Sequence, residues 1–174
     1  GGHALALSPL HAGLPPTAGY SPYSPSDRRW LDPLQASLLQ GVPDAASAAL
    51  ASDSALTEAV QAATAARRID WPAAADLKWR WLRSARAQLQ RLQPELWGAM
   101  GQWRCEAGPA LQAYCALAAD PRSGDADDHA FAQWLAQRCW SQVQQRARSG
   151  GAGIGLIADL AVGCAPEGAE ARSQ

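Results

Sequence analysis

Asparagine is missing from this 174-residue sequence, and lysine, phenylalanine and methionine occur once each, as Lys78, Phe131 and Met100. The skew toward alanine, arginine and glycine reads as coding bias and carries little mechanism. With a formal net charge of -1, the chain lacks the concentrated basic field that nucleic acid or an anionic membrane surface requires. The pair Arg28-Arg29 is too short to change that. No apolar run reaches the length of a membrane span, and no basic segment precedes an apolar one at the start. Neither a span nor export is predicted, so the cytoplasm is the expected compartment. The four cysteines form no C-x-x-C pair, which argues against a zinc site or a dense disulfide framework. His3, His11 and His129 lie in separate segments without helical spacing and read as surface or packed residues. No metal and no cofactor are expected.

What is present suits a folded protein: 48% hydrophobic residues against 18% charged ones. The length allows one domain, or a piece of a larger one. The sequence opens on Gly1-Gly2-His3 without a methionine and stops in polar residues soon after an apolar run. Both ends read as cut from a longer chain.

The run Ala4 to Leu10, closed by Pro9, predicts the end of a buried strand. A proline- and glycine-rich loop follows, from His11 to about Pro25, in which Pro15, Pro16, Pro22 and Pro25 restrict the backbone. Two of the three tyrosines, Tyr20 and Tyr23, fall in this stiff loop. Trp30 to Leu34 reads as a second brief strand, weakened by Pro33. The Ala-rich region from Asp44 to Arg68 predicts one or two weak helices, with an N-cap at Asp53 or Ser54.

From Pro72 onward, Leu77, Trp81, Leu82, Ala85, Leu89 and Leu92 recur at three- and four-residue steps, the mark of an amphipathic helix. Pro94 closes it and opens a segment to Glu106, and Gly108-Pro109 restarts a short helix through Leu117. After the polar turn Asp120–Asp128, the residues Phe131, Trp134, Leu135, Arg138, Cys139 and Val143 define one face of a long helix ending at Gly150-Gly151. The run Ile154 to Val162 then reads as a strand covered on both faces. Helix, glycines and strand in that order make half of a parallel β/α unit.

Asp159 breaks the apolar run. It either sits at an exposed strand end, where α/β barrels assemble their sites, or caps the following loop. Asp125, Asp127 and Asp128 precede a helix and complement its dipole rather than forming an acid/base pair. A serine-nucleophile reading around His11 fails for want of G-x-S-x-G. Six tryptophans, Trp79, Trp81, Trp97, Trp103, Trp134 and Trp140, lie in predicted helices and read as packing residues. Trp30 and Trp71 are left open.

Three separated pieces, LSPLHA (7–12), SPYSPSDRRWLDP (21–33) and IGLIADLAVG (154–163), resemble in order the first part of the catalytic barrel of amylomaltases, the bacterial 4-alpha-glucanotransferases or disproportionating enzymes. IDWPAAADLK (69–78) and FAQWLAQR (131–138) are similar to helical segments of that family.

The resemblance implies an α/β fold, an incomplete TIM-type (β/α) barrel fragment of about strands one to three with large, mostly helical insertions. Its parts would be a first strand and substrate loop (1–34), a helical insertion (35–125), and a helix and buried strand carrying Asp159 (126–174). It implies transfer of alpha-1,4-glucan segments between maltodextrins by a retaining double displacement. On the matching positions, Tyr23 falls on the tyrosine lining the sugar cleft, Ser21 beside it, and Asp159 on the strand-end aspartate. The spacing to Tyr20 differs from the family's second tyrosine.

The nucleophile and acid/base carboxylates would lie on later strands, so no residue here is assigned a catalytic role and the chain alone is expected to be inactive. Asp32-Pro33 stands where many relatives have Asn-Pro, and Ala165, Glu167 and Arg172 stand where Asp, Gly and Trp are frequent. Against this reading stand a non-catalytic helical or glycan-binding module and another amylase-like barrel enzyme. The expected partner is a maltodextrin or other alpha-1,4-glucan, with no nucleic acid and no membrane; oligomeric state is not read from the sequence.

Overall fold

A computed structural model describes residues 2–15 and 21–173. Tyr20 and Pro16 lie outside the described residues. In chain order the elements begin with strands β1 (Ala4–Leu7), β2 (His11–Ala12) and β3 (Asp27–Leu31), then a 3-10 turn (Pro33–Gln35). Five helices follow, α1 (Leu38–Gly41), α2 (Pro43–Ala51), α3 (Ser54–Ala65), α4 (Trp71–Leu92) and α5 (Pro94–Ala118). The chain closes with α6 (Ala126–Ser149), β4 (Gly155–Ala158) and α7 (Ala169–Arg172).

The helices begin where local chemistry predicts. Asp53, Asp70 and Asp125 each accept a hydrogen bond from a backbone N–H of the first turn, satisfying donors that the helix itself leaves free. Asp125 and Asp128 form a reciprocal capping box at α6. Pro72 and Pro94 sit in first turns, where the missing N–H costs nothing. The break expected at Gly108-Pro109 is a kink inside α5, with Gly108 at φ 66 and ψ -155. Past α6, Gly151 adopts a left-handed φ of 97, as expected for a glycine stop.

The main core lies between α1, α2, α4 and α6. On α2, Ala45, Ala46 and Ala49 are fully buried against Trp79, Leu82, Ala85 and Leu89 of α4, with Phe131, Trp134 and Leu135 of α6 completing the cluster. Alanines on one helix and large side chains on the other let the two backbones approach closely without a void. The Trp81 indole N–H reaches across to the Ala46 carbonyl at 3.0 Å. The buried stripe of α4 runs Ala75, Trp79, Leu82, Ala85, Leu89, whereas Leu92 is exposed and Leu77 partly so. The sequence periodicity located the helix and the middle of its buried face, Leu82, Ala85 and Leu89, while Ala75 and Trp79 replace Leu77 and Trp81 toward its N-terminal end.

A second cluster holds Ala12, Leu111, Tyr114, Ala130 and Ala169, with Trp30 stacked on Tyr114 at 5.5 Å. Trp30 is thereby a packing residue. Gln133 of α6 serves β3 as a surrogate strand: its side-chain amide accepts from Leu31 N at 2.9 Å and donates to Leu31 O at 2.7 Å. A buried amide satisfied at both ends in this way holds the helix to the strand.

The described residues form two sheets of two strands each. β2 and β3 are antiparallel, and β1 and β4 are parallel in the register Ala4 with Gly155 through Leu7 with Ala158. The helix-then-parallel-strand order is therefore present, with α6 packed against β4. The covering is not. The strand predicted over Ile154–Val162 is only Gly155–Ala158, and Leu5 (60%), Ile154, Ile157, Leu160 and Val162 (99%) are exposed. Among the described residues, nothing shields the second face of the pair. The fold is α/β, mostly helical with few strands. Among the described residues no helix is long and apolar enough to cross a membrane.

Leu82 is enclosed by the main cluster, so Leu82→Ala is expected to cost about 2–5 kcal/mol. A urea titration read by far-UV circular dichroism checks this, and an unchanged midpoint would place Leu82 outside the cooperative core.

Candidate functional site

The carboxyl ends of β1 and β4 lie side by side because the strands are parallel. At that end Asp159 N donates to Leu7 O at 3.3 Å, which places Asp159 one residue past the last strand residue. Its carboxylate is exposed and, among the described residues, accepts from the next N–H, Leu160, at 2.9 Å. Asp159 thus combines both sequence alternatives, a strand-end position with a local cap. The next residues fold back: Ala161 is buried, and its N–H donates to His11 Nε2 at 3.3 Å. His11 is a structural acceptor for this turn.

Ser21 and Tyr23 share one turn. Tyr23 N donates to Ser21 Oγ at 3.3 Å and Ser24 N to Ser21 O at 3.4 Å. Tyr23 is 61% exposed, free to meet a ligand, while Pro25 and Ser26 just beyond the turn are buried. Among the described residues no hydrogen bond joins this turn to Asp159 directly.

The link is indirect and runs through residues 25–29. Pro25 O accepts from Ala165 N (2.8 Å), Ser26 O from Glu170 N (2.9 Å) and Ser26 Oγ from Ala169 N (2.9 Å). Gly168 packs so tightly here that an added Cβ would meet Ser26 O at 2.4 Å, a fit that only glycine allows. Arg28 N donates to Glu170 Oε2 at 2.9 Å, and the Arg28 guanidinium grips the same carboxylate, Nη2 to Oε1 at 2.5 Å. Those side-chain and backbone donations hold the Glu170 carboxyl down at about 2. Beside it, Asp27 is fully buried and receives Arg29 twice, Nε at 2.9 Å and Nη2 at 2.6 Å. A buried carboxylate is tolerable only when so paired.

Sequence reasoning found the SPYSPSDRRW stretch but read it as a ligand loop alone; its second half is a structural clamp. The Glu170 partner had no sequence signal, since nothing along the chain links positions 28 and 170. Ala165, one of the departures from the resemblance, is buried with its N–H bonded to Pro25, so the loop after Asp159 is held in place.

Elsewhere a cleft of about 240 Å³ opens between Gly13–Pro15, the first turns of α4 and the Ala119–Ser123 turn, walled by Trp79, Tyr114 and His129. None of Ser21, Tyr23 and Asp159 lines it. His129 is buried between Trp79, at 4.5 Å centroid separation, and Tyr114, and shares a 2.9 Å hydrogen bond with Ser123 Oγ. Burial pushes its imidazole down to about 4. Lys78, the single lysine, is also lowered by burial, to about 8, and donates to Ala36 O. Among the described residues no group of three His, Cys, Asp or Glu side chains could hold a metal ion.

A parallel strand pair and an antiparallel one, backed by a helical body, define an α/β protein of mostly helical content. The chain belongs to the 4-alpha-glucanotransferase family, glycoside hydrolase family 77, whose family model matches residues 1–127. Among solved structures it is similar to the amylomaltase from Corynebacterium glutamicum, with a TM-score of 0.64 and 24% identity, over 98% of this chain and 27% of that chain. At that identity the likeness is one of fold. No match is found among curated proteins. The family match ends at Asp127, so Asp159 and Glu170 lie beyond it, while the likeness of fold runs nearly end to end.

A buried neutral histidine makes stability pH-dependent. The unfolded chain takes up a proton near the ordinary 6.5 while the folded one resists it to about 4, so stability falls as pH drops through that window. The loss is at most about 3 kcal/mol. His129→Gln is expected to flatten the stability slope between those limits, measured by urea midpoints at stepped pH; an unaltered slope would mean that His129 titrates normally.

Proposed function

We propose that the chain is the N-terminal part of a (β/α) barrel whose activity is transfer of alpha-1,4-glucan segments. The observation that carries this reading is the β1–β4 pair: two parallel, apolar strands, packed by α6, with exposed faces and adjoining carboxyl ends. Such strands are the makings of a barrel wall, and barrel sites form at that end. In this reading residues 1–34 give the first strand and substrate loop, 35–125 a helical insertion, and 126–174 a helix and the strand leading to Asp159.

Each of the named residues has a distinct job. The Tyr23 ring packs against one sugar unit; Ser21 accepts the Tyr23 N–H through Oγ and so sets the ring's direction. Asp159, exposed at the strand end, accepts sugar hydroxyls. Retaining transfer needs a nucleophilic carboxylate and an acid/base carboxyl about 5–5.5 Å apart. Asp159 and the clamped Glu170 and Asp27 make no such pair: Glu170 and Asp27 are committed to arginines. The reacting carboxylates are assigned to later barrel strands.

The 174-residue chain alone is therefore expected to release no glucose from pure maltotriose. Joined to the remaining strands of a family barrel, it is expected to yield glucose and longer maltodextrins. There Tyr23→Ala should lower the rate more than Tyr23→Phe, by the ring's packing of about 1 kcal/mol. Turnover by the chain alone would overturn the placement of the carboxylates. Binding of glucans with no transfer in the joined barrel would favour a glycan-binding module.

A further inference from the structure

We propose that Arg28 and Glu170 are a positioning pair that fixes the Tyr23 turn against the segment leaving Asp159, an inference that rests on the reading of Tyr23 and Asp159 as glucan contacts. The turn is weak by itself. Its two internal hydrogen bonds, at 3.3 and 3.4 Å, are long beside the usual 2.9–3.0 Å. Rigidity is supplied from its C-terminal side and begins two residues after Tyr23, where Pro25 O, Ser26 O and Ser26 Oγ are all taken by the 165–170 segment.

Arg28 extends the anchorage to the other half of the site. While Nε and Nη2 engage Glu170, Nη1 donates to Val162 O at 3.1 Å, three residues past Asp159. Val162 is 99% exposed, and its segment is held by this carbonyl contact and by the neighbouring Ala161. One guanidinium thus ties together the stretch after Tyr23, the carboxylate of α7 and the stretch after Asp159. Only arginine has the fork to do this; a lysine at the same place could satisfy the carboxylate or the carbonyl but not both. The side-chain route to the strand end passes through Arg28, and Glu170 holds both its backbone N–H and its guanidinium in place for that contact.

Two variants separate positioning from general stability, with hydrogen–deuterium exchange on the 174-residue chain, without glucan, as the readout. Glu170→Gln is expected to raise exchange at Tyr23 and Ser24, whose amides make the turn's hydrogen bonds, at least tenfold while α4 and α6 keep wild-type rates. Arg28→Lys, which keeps the charge on Glu170, is expected to loosen residues 160–163 by a similar factor and leave the turn near its wild-type rate. Unchanged exchange at the turn in Glu170→Gln, or a rise in step with α4 and α6, would overturn the proposal. Because no sugar is present, that failure is distinct from failure of the glucan reading, which shows as an indifferent Tyr23→Ala in the transfer assay.

Discussion

The arrangement of this chain depends on the backbone of four residues, Pro25 to Arg28. Their carbonyls and amides are claimed from both directions, by Ala12 near the N-terminus and by Ala165 and Glu170 near the C-terminus. Since Ser26 N donates to Ala12 O at 2.7 Å while Ser26 O accepts from Glu170 N at 2.9 Å, a single residue stitches the first strands to the last helix. The glycine at 168 is the counterpart, because any side chain there would push the two backbones apart. Around this knot two arginines pair with two carboxylates, and the candidate site's parts take their relative places from it.

The helical body solves a different problem with a different device. A chain with one phenylalanine and few isoleucines cannot fill a core with bulky residues everywhere. It uses alanine faces on α2 to bring backbones close and tryptophans to fill what remains, with Trp79 and Trp134 buried and Trp81, Trp97 and Trp103 packed alongside. Two of the polar tips find partners on the way, Trp81 at the Ala46 carbonyl and Trp103 at Gln137, at 2.8 Å. This body is where the family match mostly lies, and it supports the parallel strands by way of α6.

Much of this was legible along the chain, because it is governed by neighbours in sequence. Asp53 as an N-cap, the stop before Pro94, the break at Gly108-Pro109, the glycine end of α6 and the polar aspartate turn are local chemistry. The pairing of a helix with a following parallel strand was legible too, from the order of patterns. Tyr23 was singled out by its prolines and by resemblance, and its exposure suits a ligand contact. What escaped was everything set by distant partners: the Arg28–Glu170 contact, the cleft around His129, and the openness of the strand pair. Apolar runs state what a strand prefers to have on its faces, and Ile157 and Val162 show that the preference is not met by the residues described.

The pairing of β1 with β4 joins Ala4 to Gly155, so nearly the whole chain lies in the loop that this two-stranded sheet closes. Closing so large a loop for four pairs of residues is entropically unfavourable until the helices between have already shortened the distance. The sheet is accordingly a late event in folding and an early one in unfolding. During that interval its apolar strands are open for association with other chains, so yield on refolding is governed by protein concentration more than by the stability of the helical body.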